Sequence, residues 1–83
     1  MTVDATATIE PAIAGFWREV LEVPEVSGSD RLLELGGNSL AATMIANRIE
    51  LVLGVRPTMT EILTSSLHEL AVTCAERAAD AGG

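Results

Sequence analysis

The stretch Leu35-Gly36-Gly37-Asn38-Ser39-Leu40 decides how this chain is read. Two adjacent glycines close an irregular segment, and a helical apolar pattern begins directly after them. Glycine permits the backbone conformations of a tight turn and lets another molecule come close. Asn38 and Ser39 are both residue types that cap a helix by accepting a hydrogen bond from its first N–H groups. With either as cap, the Ser39 hydroxyl stands at a helix N-terminus, where free N–H groups and the helix dipole favour an anion. On these residues alone two readings stay open: a plain helix cap, and a serine placed to carry a phosphate ester.

Downstream, the pattern predicts a helix from Asn38 or Ser39 to about Leu53, with Gly54 as its stop. Ala42, Ile45, Ile49, Val52 and Leu53 fall on one face, and Leu40, Met44, Asn47 and Leu51 on the opposite one. Thr43 and Glu50 separate them on one flank and Arg48 on the other. A helix against a single core shows one apolar stripe; this one shows two. One stripe is core. The other is covered by the preceding loop or the third helix, or is offered to a partner. Val52 is expected to be absorbed by the core, and Leu51 to stay outside with Met44.

Upstream, residues 24–38 form a long loop marked by Pro24, Ser27, Gly28 and Ser29. Leu32, Leu33 and Leu35 are expected to pin it to the core, and Ser29-Asp30 to start one helical turn. Before it, a first helix is predicted over residues 9–23, with Glu10 and Pro11 in its first turn. Its stripe is Ile9, Ile13, Phe16, Trp17, Val20 and Leu21. After residues 55–57, a short third helix is expected over 58–65. Thr58 and Glu61 form a capping box there, and Met59, Ile62 and Leu63 face inward. A fourth helix starts after Ser65-Ser66, with Leu67, Leu70, Ala71, Cys74 and Ala78 on one face and a second box in Ser66 and Glu69. The fold class is all-α, a small four-helix bundle with a long loop between helices 1 and 2 and a short third helix. Residues 1–8 read as a flexible lead-in, 9–79 as the domain and 80–83 as a flexible tail. The start at Met1 reads as a free-standing chain.

Composition narrows the function. At 83 residues there is room for one small domain and no deep two-lobed cleft. The net charge is −7, and all five basic residues are arginines scattered along the chain, so the basic stripe of a nucleic-acid binder is missing. No apolar run reaches the length of a membrane span and no signal peptide is evident. A cytoplasmic monomer without nucleic-acid or membrane partners is expected. Cys74 and His68 are the only residues of their kinds, too few for a metal site. A nucleophilic serine needs a base. His68, the one imidazole, is predicted on another helix, so a modified Ser39 is favoured over a catalytic one. Cys74 reads as a small buried hydrophobe.

Taken together, residues 30–40, the helix order and the closing Leu67-His68-Glu69-Leu70-Ala71 resemble the phosphopantetheine carrier proteins. The Gly-Gly-Asn-Ser-Leu form is most like peptidyl carrier proteins of nonribosomal peptide synthesis; acyl carriers usually place an Asp before the serine. The resemblance implies a 4'-phosphopantetheine arm, donated by coenzyme A and attached to Ser39 by a phosphopantetheinyl transferase. Gly37, Asn38 and Leu40 are the flanking motif. It implies a non-catalytic carrier: an adenylation enzyme loads the arm's thiol with an amino acid as a thioester, and condensation or tailoring enzymes act on it. Leu40, Met44 and Leu51 are the candidate docking strip. An acyl carrier of a polyketide or fatty acid pathway is the alternative within the fold. A helical interaction module without a prosthetic group is the alternative outside it.

Overall fold

A computed structural model describes residues 5–82. Four α-helices follow one another: α1 (Ala5–Leu21), α2 (Ser39–Leu53), α3 (Met59–Thr64) and α4 (Leu67–Gly82). One turn of 3₁₀-helix, Leu33–Leu35, interrupts the loop between α1 and α2. The bundle is all-α, as the apolar periodicity predicts. α1 packs against both α4 and α2, and α3 packs against α2. Ile13 and Trp17 of α1, Ile45 and Ile49 of α2, Ile62 of α3 and Leu70 of α4 are completely buried and meet in one core.

Several boundaries and faces differ from the sequence expectation. α1 begins at Ala5, so residues 5–8 are its first turn and not a lead-in; residues 1–4 lie outside the described part. Pro11 therefore sits inside the helix, and neither it nor Glu10 belongs to the first turn. An interior proline removes one helical hydrogen bond, here to the carbonyl of Ala7. Both Ala7 and Pro11 are exposed, so water can satisfy that carbonyl. α1 also stops at Leu21, two residues early, where Glu22 turns to a positive φ of 55°. At the other end α4 continues to Gly82, through most of the expected tail; residue 83 lies outside the described part.

In the loop, Leu32 is fully buried, but Leu33 is 58% exposed. With three residues per turn in a 3₁₀-helix, Leu32 and Leu35 share one side and Leu33 projects from another. The helical turn starts there and not at Ser29-Asp30. Asp30 instead closes a small loop, its Oδ2 accepting from the Ser27 N–H at 2.8 Å. Val52 is 61% exposed, against the expectation that the core absorbs it; in this last turn of α2 it is Leu53, about 100° further round the helix, that packs against the core. Met59, the first residue of α3, is 37% exposed, and its sulfur accepts a hydrogen bond from the Thr43 hydroxyl.

Both capping boxes form. Thr58 Oγ1 accepts from the Glu61 N–H and Glu61 Oε1 accepts from the Thr58 N–H. Ser66 and Glu69 repeat the arrangement at α4. The same Glu61 carboxylate takes two hydrogen bonds from the Arg77 guanidinium, tying α3 to α4. That guanidinium, with the Thr58 backbone N–H, holds the Glu61 carboxyl below its usual value of 4.5, and Arg77 is raised in turn. Arg48 pairs with Glu19 of α1, and Arg56 donates to Asn47 and Glu50. Both arginines are thus engaged within the chain. His68 pairs with Glu10 and joins α4 to α1.

The long loop is fastened to the start of α4. Leu67 N–H donates to the Asp30 carbonyl and His68 N–H to the Gly28 carbonyl, each at 2.9 Å. Arg31 and Ser66 form an isolated antiparallel bridge, and the Arg31 guanidinium reaches the Thr64 carbonyl.

Candidate functional site

Ser39 is the first residue of α2, and the loop sets its position step by step. Leu32 inserts its side chain into the core and offers its carbonyl to two N–H groups, Leu35 at 3.1 Å and Gly37 at 2.9 Å. Gly36 then turns the chain at φ +88°, in the left-handed region that side chains rarely adopt. Gly37 is a glycine for a different reason. A Cβ there would stand 2.5 Å from Leu32 Cγ and 2.9 Å from the Leu32 carbonyl oxygen. The close approach expected of these glycines is thus made by the chain's own Leu32.

Asn38 is the cap. Its backbone is extended, and its Oδ1 accepts from the Ala41 N–H at 3.0 Å. Its carbonyl accepts the first helical bond, from Ala42 at 2.9 Å. Ser39 is released from capping duty, and its hydroxyl makes no hydrogen bond to any described residue. The N–H groups of Ser39 and Leu40 are the donors left free in the first turn. No acidic residue occupies that turn. An exposed hydroxyl beside free N–H groups, at the positive end of a helix, suits a phosphate ester. With His68 held by Glu10, no base is assembled beside Ser39 among the described residues. Nor is any cluster of His, Cys, Asp or Glu among them placed to hold a metal ion.

The second stripe of α2 is open. Leu40 is 70% exposed and Leu51 86%, while Met44 is 42% exposed and so partly covered. Beside Ser39 lies a cleft of about 230 Å³ between the end of α1, the 3₁₀ turn and the first turns of α2. It is lined by Val20 and Leu21 at the end of α1, by Leu35 and Gly36 of the turn, and by Asn38, Leu40, Ala41 and Met44 at the start of α2. Sequence reasoning placed Val20 and Leu21 in the core stripe and gave no sign of this cleft. Its one hint was that this stripe continues to the very end of α1.

The family profile described as a phosphopantetheine attachment site matches residues 11–71. The chain belongs to that family. The phosphopantetheine carriers include it as a carrier protein whose cofactor is 4'-phosphopantetheine. Curated relatives of this carrier are peptide synthetases. Phosphinothricin tripeptide synthetase PhsC of Streptomyces viridochromogenes is 44% identical over 48 residues, covering 58% of this chain and 4% of the synthetase. A linear gramicidin synthase of Brevibacillus parabrevis is 41% identical over 64 residues, covering 76% of this chain and 1% of that protein. The carrier thus spans only a few per cent of the length of these relatives. Among solved structures it is similar to BlmI, a type-II acyl-carrier protein of Streptomyces verticillus involved in bleomycin biosynthesis. The TM-score is 0.79 at 25% identity, covering 87% of this chain and 88% of BlmI.

Proposed function

We propose that Ser39 is the attachment residue and that the carrier serves nonribosomal peptide synthesis or a related specialised pathway. In the attachment step the Ser39 hydroxyl forms a phosphodiester with the pantetheine phosphate of coenzyme A. The hydroxyl proton is lost and the nucleotide half of coenzyme A leaves. A phosphopantetheinyl transferase performs this step. An adenylation enzyme then loads the arm's thiol with an amino acid, and condensation or tailoring enzymes take it onward. The carrier performs no bond chemistry itself, and its work is to place the cargo and be recognised. It works as a monomer in the cytoplasm. No described helix is long and apolar enough to cross a membrane.

The observation that carries this reading is the division of labour at the start of α2. Asn38 does the capping, which leaves the Ser39 hydroxyl exposed and without a protein partner among the described residues. The outward strip of Leu40, Met44 and Leu51 supports the further reading that partners dock beside the attachment point. Exposed apolar side chains at helical spacing are typical of a binding face.

The test is an intact-mass measurement after incubation with coenzyme A, Mg²⁺ and a broad-specificity phosphopantetheinyl transferase. The expected result is a gain of one phosphopantetheine, absent in Ser39→Ala. A gain that persists in Ser39→Ala would overturn the assignment. Offering the holo form to adenylation enzymes and to acyltransferases then separates a peptidyl from an acyl carrier. The likeness to BlmI, described as an acyl-carrier protein, is the observation that keeps the second arm in the experiment.

A further inference from the structure

The cleft beside Ser39 has a position and a mixed lining that suit one part of the arm. We propose that it receives the pantoyl unit, the segment next to the phosphate, and so gives the arm a resting position against the end of α1. This rests on Ser39 being the attachment residue. Position comes first. Asn38 and Leu40 flank Ser39 in the chain and both line the cleft, so a group esterified to Ser39 starts at its rim. The atoms directly beyond the phosphate are the ones within reach; the thiol and its cargo lie at the opposite end of the arm.

Chemistry agrees with position. The lining is mixed: aliphatic side chains come from Val20, Leu21, Leu35, Leu40 and Met44, and polar atoms make up more of its exposed surface than apolar ones. Just beyond its phosphate-linked methylene, the pantoyl unit carries a quaternary carbon with two methyl groups, followed by a hydroxyl and an amide. Its methyls suit the aliphatic side chains. Its polar end suits Asn38, whose Oδ1 is committed to the cap but whose amide nitrogen remains a donor. An aminoacyl cargo would bring an ammonium group, and no carboxylate lines the cleft to pair with it. Size points the same way. A volume of about 230 Å³ is room for a group the size of the pantoyl unit.

Leu40 and Met44 belong both to the cleft and to the outward strip. A partner that covers them therefore competes with the pantoyl unit and frees the arm where it is needed.

The experiment uses the wild-type chain with ¹³C-labelled methyl groups, converted to the holo form and compared with Ser39→Ala treated identically. Intact mass first reports whether the arm is attached; no gain at Ser39 refutes the attachment reading and the cleft proposal with it. In the loaded sample, nuclear Overhauser contacts are measured between the two pantoyl methyls and the protein methyls. The expected result is contacts to Val20, Leu21 and Leu35, with shift changes at Val20 and Leu21 comparable to those at Leu40. A full mass gain with shift changes confined to residues 38–41, and no contact to Val20 or Leu21, overturns the cleft proposal and leaves the attachment reading standing.

Discussion

The Cβ that Gly37 lacks would stand 2.5 Å from Leu32 Cγ, and Leu32 is itself completely buried. Neither residue can give way cheaply, because Leu32 also holds the turn through its carbonyl. Overpacking of this kind costs about 1–3 kcal/mol. Gly37→Ala is therefore expected to lower stability by that amount in urea unfolding. Gly36 is constrained by φ alone, with nothing within 4 Å of its missing Cβ. Asparagine tolerates the left-handed region better than alanine. Gly36→Asn should accordingly recover much of what Gly36→Ala loses, whereas Gly37→Asn should be no better than Gly37→Ala.

Asn38 supplies the side-chain cap of α2. Asn38→Ala removes the acceptor for the Ala41 N–H and should cost about 1 kcal/mol in thermal or urea unfolding. Asn38→Asp keeps an acceptor oxygen and adds a charge that the helix N-terminus favours, so its stability should match or exceed that of the parent. An aspartate as unstable as the alanine would show that the cap is not what Asn38 contributes.

The Glu61–Arg77 pair predicts a pH dependence. The carboxyl of Glu61 lies below 4.5 in the folded chain because of the Arg77 guanidinium. A carboxyl depressed by folding adds stability above its unfolded pKa of about 4.5 and loses it as pH falls through the lower, folded value. Stability should thus decline in acid from about pH 4.5 downward. Glu61→Gln should cost about 1 kcal/mol at pH 7, a modest figure because both side chains are partly exposed. It should also flatten the acid decline. Urea midpoints at pH 7 and pH 3 for parent and variant check both statements.

Cys74 is fully buried, and burial raises its thiol to about 11. Since the thiolate is the reactive form, thiol reagents at pH 7–8 should modify Cys74 only as the chain opens. A holo preparation should then show two kinetic classes, a fast thiol on the arm and a slow one at Cys74, which becomes fast in denaturing urea. Equal rates in native buffer would contradict the buried position.

Leu51 is the cleaner probe of docking, since it is 86% exposed and takes no part in the cleft. Leu51→Glu should leave the unfolding midpoint within about 0.5 kcal/mol of the parent, as for most surface changes. It should slow loading by an adenylation enzyme several-fold. Met44→Glu should slow loading as well, again without unfolding the chain. Unchanged loading in both would remove the strip as a docking face.

The parts legible in the sequence are those governed by local chemistry. Asn38 and Gly54 mark the ends of α2, and the two Ser/Thr–Glu boxes mark the starts of α3 and α4, because each satisfies helix-end groups within a few residues. Both faces of α2 were readable from spacing. What spacing does not show is where the edge of the buried face falls, which is why Val52 lies outside while Leu53 in the same turn packs inward. It does not reveal whether water can serve the carbonyl opposite an interior proline, so Pro11 suggested a helix start four residues late. The pressure of Leu32 on Gly37 and the cleft against Val20 and Leu21 are three-dimensional coincidences between segments that carry no mutual signal in the chain.

Leu67 and His68 stand in the first turn of α4, yet their N–H groups are taken by the carbonyls of Asp30 and Gly28. This has a bearing on the order in which the molecule is made. A nascent chain that has reached Leu63 contains the whole serine motif, but Leu67 and His68, which hold the first half of the preceding loop, are not yet present. The two carbonyl anchors at Gly28 and Asp30 therefore form only once the start of the last helix has been made, whereas the Leu32–Gly37 turn that precedes Ser39 has all its partners earlier in the chain.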